Sequence, residues 1–141
     1  MGATTMSEAG TGAGRMVGPT LVAAGALVAC ATVTLHDPNV DGSYGRCPFL
    51  ALTGRPCPGC GTLRALHALL HGRVLEAVSR NALSLAVLPL LAYAWLTWAR
   101  SSWVGAPRTW HPPPWLGYAL ATAVPLFWLA RNTTALSVLA P

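Results

Sequence analysis

Lysine is absent from this 141-residue chain and only four residues are acidic, so charged side chains make up 9% of it, where a soluble domain carries about a quarter. That scarcity excludes chemistry as well as solvent. From Glu8, Asp37, Asp41 and Glu76 no Ser-His-Asp set or carboxylate pair can be assembled, and no glycine loop of the phosphate-cradling kind is present. The nine basic residues are all arginine, spaced singly between apolar segments, and form no basic run of the kind that holds nucleic acid. Also missing are internal repeats, long heptad arrays and any alternating strand pattern.

What is present is apolar: 53% of the residues are hydrophobic. The pattern predicts an all-α integral membrane protein with about three transmembrane helices. Residues 1–15, rich in Gly, Ala and Thr, form a tail too poor in large apolar side chains to offset the entropy of ordering. A single helical membrane domain follows over 16–131, and 132–141 is a C-terminal tail. The first span is read over 17–35, uncharged and about 28 Å long as a helix, which matches the hydrocarbon thickness of a bilayer. The second is read over 82–99 with Pro89 near its middle, and the third over 115–130, shorter at about 24 Å. Arg131 stops the third. Small residues such as Gly25, Ala29 and Ala86 offer close helix packing. Tryptophans 95, 98, 103, 110 and 115 gather with Arg100 and Arg108 about the connection to the third span, as at a membrane interface.

Between the first two spans lies the unusual chemistry. Residues 36–46, HDPNVDGSYGR, carry turn-forming Asp-Pro and Asp-Gly pairs. Beyond Pro56 and Pro58, an amphipathic helix is expected over 62–71, starting near Gly61 and ending at Gly72, and a second helical pattern begins at Arg73. Glu76 stands three residues after Arg73 and four before Arg80, spacings that suit surface ion pairs. Cys30 reads as a small apolar side chain, with lipidation after a lipoprotein signal as the competing reading.

Cys57-Pro58-Gly59-Cys60 is a CxxC turn, a spacing that lets both sulfurs face one point. Three readings follow. The turn can be purely structural or bind a protein partner; Cys57 and Cys60 can exchange a disulfide, with Cys47 to resolve it; or Cys47, Cys57 and Cys60 can hold zinc, for which His36 is the freest fourth ligand. Cys60 directly precedes a helix, which predicts a lowered thiol pKa aided by Arg64 one turn on. On that helix Cys60, Arg64, His67 and His71 fall on one stripe, with Leu63, Leu66 and Leu70 on another face. The histidines are expected to meet water or lipid headgroups, and Arg64 to seek Asn81 or Glu76 as partner.

The run CPFLALTG, RPCPGCG and TLRALHALLHG, followed by an asparagine that opens an apolar helix, closely resembles the bacterial family of small membrane proteins catalogued as domain of unknown function 2752. The resemblance covers roughly Cys47 to Trp98. It implies a multi-span membrane protein without an established activity. The positions it marks are Cys47, Pro48, Phe49, Thr53, Gly54, Cys57, Pro58, Gly59, Cys60, Gly61, Arg64, Ala65, Gly72 and Asn81; here Ala82 follows Asn81, where the family pattern often has proline.

Arginine counting gives an orientation. Arg15, Arg100 and Arg108 fall on one side of the membrane and Arg46, Arg55, Arg64, Arg73, Arg80 and Arg131 on the other, which favours a cytoplasmic cysteine loop. The reading is therefore a multi-pass protein of the bacterial cytoplasmic membrane, a non-enzymatic component whose surroundings are the lipid bilayer and a membrane partner or second copy.

Overall fold

The computed structural model describes residues 12–40, 42–45, 47–107 and 111–133. The expected N-terminal tail up to residue 11, most of the C-terminal tail, and Asp41, Arg46, Arg108 and Trp110 lie outside the described residues. The described residues form five helices: α1 (Gly12–Leu35), α2 (Pro48–Thr53), α3 (Thr62–Leu70), α4 (Val74–Val104) and α5 (Pro114–Arg131). No strand occurs among the described residues.

Among the described residues two helices are long and apolar enough to cross a membrane, Gly14–Leu35 within α1 and Val74–Val104. The third, α5, is an 18-residue helix that is not among them. Its sequence explains the difference, because Trp115, Tyr118, Pro125 and the terminal Arg131 dilute its aliphatic residues.

α1 and α4 run antiparallel. Near the start of α1, the Trp95 indole donates to the carbonyl of Pro19 at 3.1 Å, and Gly18 lies so close to the Trp98 ring that a Cβ there would stand 2.9 Å from Cζ2. The Arg15 guanidinium rests against Gly105, which ends α4 in the left-handed region, where a cation complements the helix's exposed carbonyls. The small residues singled out from the sequence do not make this contact: a Cβ on Gly25 would meet nothing within 4 Å, and Ala29 and Ala86 are exposed. Trp95 and Trp98 thus serve packing, while Trp103 and Trp115 are exposed.

At the other end, α3 folds back on α4 through Gly72. Arg73 N–H donates to the Ala68 carbonyl and Gly72 N–H to that of Leu69, the paired bonds of a Schellman ending, with Gly72 at φ 74°. α4 is not regular: Asn81 has φ −162° and ψ 89°, and the helix restarts beyond it. The break therefore falls at Asn81, eight residues before Pro89. α3 also turns the usual amphipathic pattern around, since Ala65, His67 and Ala68 are buried while Leu63 and Leu70 are exposed.

Candidate functional site

The three thiols Cys47, Cys57 and Cys60 converge beside the break in α4 at Asn81 and the end of α5. Cys47 immediately precedes α2, a helix initiated by Pro48 and closed by Gly54 at φ 68°. From Cys57 the backbone turns, Cys60 N–H donating to the Cys57 carbonyl and Thr62 N–H to that of Gly59. Gly61, at φ 85°, then sets the start of α3. The sulfurs of Cys57 and Cys60 lie 3.1 Å apart, those of Cys47 and Cys57 3.6 Å, and all three fall within 4.8 Å of one another. All are free thiols, half-buried, and the Cys57 amide donates to the Cys60 sulfur at 3.2 Å. Zinc–sulfur bonds of about 2.3 Å place tetrahedral sulfurs about 3.8 Å apart, so this triangle could close on one ion with small adjustments.

His36 is not among the groups close to the three sulfurs; it lies exposed just beyond α1. Among the described residues no histidine or carboxylate joins them.

The electrostatics of the thiols reverse the expectation for Cys60. Burial above all, and then the hydrogen-bonding contact with the Cys57 sulfur, push it up to about 12, because both favour the protonated thiol. The lowered thiol is Cys47. The amides of Leu50 and Phe49 at the start of α2 favour its charged form, although the geometry falls short of a formal capping bond. Arg64 does not assist Cys60 either: its Nε donates to the Pro38 carbonyl at 3.2 Å, tying α3 to the loop after α1.

The rest of the polar stripe is structural. His67 is 6% exposed and its Nδ1 lies 2.8 Å from the Val33 carbonyl, so that nitrogen carries the proton and donates to an otherwise orphaned acceptor at the end of α1. Its Nε2 stands 3.8 Å from Asp37. Asp37 is held below the usual carboxylate range by the backbone and side chain of Asn39. His71 is exposed, stacks on His67 at 4.3 Å between ring centres, and donates from Nδ1 to the His67 carbonyl. Glu76 pairs with Arg73 at 3.0 Å and Arg80 at 3.5 Å, along the helix surface.

Asn81 is the hub. With 1% exposure, its side-chain amide donates to the carbonyls of Pro58 and Cys60 and to Thr62 Oγ1, while its Oδ1 accepts from Ser84 N–H. The last bond caps the apolar helix that begins at Ala82. Arg64 and Glu76 are not its partners. Arg131, read from the sequence only as a stop, is 2% exposed and its Nη1 donates to the Cys60 carbonyl at 2.8 Å. Asn132 reaches the Pro56 carbonyl, and Trp128 meets Phe49 edge to face. The end of α5 therefore packs against the cysteine loop and holds it.

Cys47, the first thiol, also opens the stretch that resembles known sequences. Residues 47–95 match the family model Protein of unknown function (DUF2752). The DUF2752 match takes in α2, the cysteine turn, α3 and Asn81, and leaves α1 and α5 outside, so that Arg131, Asn132 and Trp128, which support the turn, lie beyond the family model's reach. No curated protein and no solved structure matches the chain.

Proposed function

We propose that this chain is a non-enzymatic, multi-pass integral membrane protein whose cysteine loop is a structural metal centre of the zinc type. The observation that carries the metal reading is the mutual approach of three sulfurs within 4.8 Å. Thiolate is the ligand class zinc favours in structural sites.

The membrane reading is supported by where the apolar residues lie. In the most apolar windows of α1 and α4 only 11% and 0% of residues are buried, the reverse of a soluble protein's core helix. α3 likewise directs Leu63 and Leu70 outward. We count α5 as the third span, because Arg131 at its end meets Cys60, while His111 and Pro112 just before it line a cavity with Val22, Trp95 and Trp98 at the far end of α4. At about 27 Å it suffices with modest thinning of the bilayer. The cysteine loop faces the cytoplasm of a bacterial cell, where thiols stay reduced and available to metal.

A second reading has its own observation. The 3.1 Å approach of Cys57 and Cys60 suits a dithiol that exchanges with a partner's disulfide. Metal analysis and thiol counting on detergent-solubilised protein separate the two. Stoichiometric zinc that shields all three thiols, and is lost in the double variant Cys57→Ser, Cys60→Ser, is the expected result. Absence of metal, together with two thiols detected only after reduction, would replace the metal centre with the redox pair.

A further inference from the structure

Arg131 is a buried cation with no carboxylate partner among the described residues. It is 2% exposed, its Nε has no hydrogen-bond partner, and its other donors go to the backbone carbonyls of Cys60, at 2.8 Å, and Arg80, at 3.5 Å. The Phe127 ring lies beneath the guanidinium at 5.4 Å. Neither described carboxylate reaches it: Asp37 stands beside His67, and Glu76 between Arg73 and Arg80. An arginine does not escape by losing its proton, and a buried charge left with dipoles alone is expensive. Its position calls for an anion.

Among the described residues, the ionisable groups acting electrostatically on Arg131 are Cys60 and Cys57. As neutral thiols they offer it nothing. Three thiolates around one divalent ion carry one net negative charge, and a single guanidinium neutralises it. Resting on the metal reading above, we propose that Arg131 is the built-in counter-ion of a tri-thiolate metal centre formed by Cys47, Cys57 and Cys60. It is a positioning residue, outside the ligand set, holding the Cys60 carbonyl and balancing the charge that metal binding creates. The buried arginine then has a partner in the loaded state, and the open fourth position on the metal is left for a neutral donor, since a fourth thiolate would restore the imbalance.

The test is zinc affinity by competition with a chromophoric chelator, on the full chain in detergent. Three variants separate charge from shape: Arg131→Lys keeps the charge, Arg131→Gln keeps a donor for the Cys60 carbonyl without it, and Arg131→Met keeps only the bulk. The Gln and Met variants are expected to bind zinc about 10–100-fold more weakly, the range for groups that tune a metal from outside its ligands, and Lys to retain most of the affinity. Equal losses in Lys and Gln would overturn the charge role in favour of a shape role, and so would no loss in any variant. Helical content of the metal-free variants is measured alongside. Collapse of the neutral variants before any metal is added would also overturn the inference, since the charge would then serve the bundle itself. If the wild-type chain binds no zinc, the metal reading fails and this one with it; if it binds and the variants match it, only the counter-ion fails.

Discussion

Asn81 occupies the one break in the long helix and uses it in two directions at once. Its Oδ1 caps the apolar helix that follows, and its amide group spreads over three acceptors of the cysteine turn and α3. Asn81→Ala removes a helix cap and leaves buried polar atoms unpaired, so a loss of about 2–4 kcal/mol is expected. Unfolding in a graded detergent titration measures it; a loss no larger than that of an exposed alanine substitution would remove Asn81 from its central place. The thiols make a second prediction at this scale. In the metal-free, reduced protein Cys47 should be alkylated first near neutral pH, and Cys60, pushed up to about 12, should remain unreactive there. Mass spectrometry of partially alkylated peptides reads the order directly. The sign for stability follows: native Cys60 prefers its proton, so its contribution is fully present below the ordinary thiol value of 9.0 and is lost as pH rises from there towards 12.

At the scale of elements, the contact between α1 and α4 depends on the absence of one side chain. A Cβ at Gly18 would press on a rigid indole ring, so Gly18→Val should force the two helices apart at a cost of about 1–3 kcal/mol, the range for overpacking. Thermal unfolding followed by tryptophan emission checks it, and Gly25→Val, which faces open space, serves as the control expected to change little. Nothing in the sequence separates these two glycines, because which face of an apolar helix meets its neighbour is a property of the packed pair. The elements themselves were more legible. Uncharged runs marked α1 and the apolar part of α4, and Gly61 and Gly72 bracketed α3, whose observed end at Leu70 lies one residue short of the expected one. α2 was missed because six residues carry no periodicity, although Pro48 at its first position and Gly54 at its end were its signals. The convergence of the cysteines was half legible: CxxC fixes Cys57 and Cys60 together, whereas Cys47 arrives through α2. Arg131 reaches Cys60 across 71 residues, a distance that no local pattern encodes.

For the molecule as a whole, the structure regroups the charges on which orientation depends. Arg15 lies beside Gly105 and Arg131 beside Cys60, so these two arginines stand at opposite ends of the bundle, on the sides to which the sequence assigned them. Their meaning differs, however. Half-buried Arg64 and buried Arg131 are spent on backbone carbonyls of the fold, and an arginine so engaged is poor evidence of where the translocation machinery left a loop. By sequence position this leaves Arg46, Arg55, Arg73 and Arg80 counted for the cysteine side against Arg15, Arg100 and Arg108, a narrower excess of the same sign. The cysteine loop is accordingly expected to face the cytoplasm. Intact cells producing the chain should leave Cys47 unlabelled by a membrane-impermeant maleimide, and permeabilised cells should label it once metal is chelated. Labelling of intact cells would reverse the orientation and put the thiols where oxidation is favoured. It would also bear on the chemistry, because a Cys57 to Cys60 disulfide removes two of the three charges that Arg131 is placed to answer. Orientation, redox state and metal centre thus stand or fall through one accessible thiol.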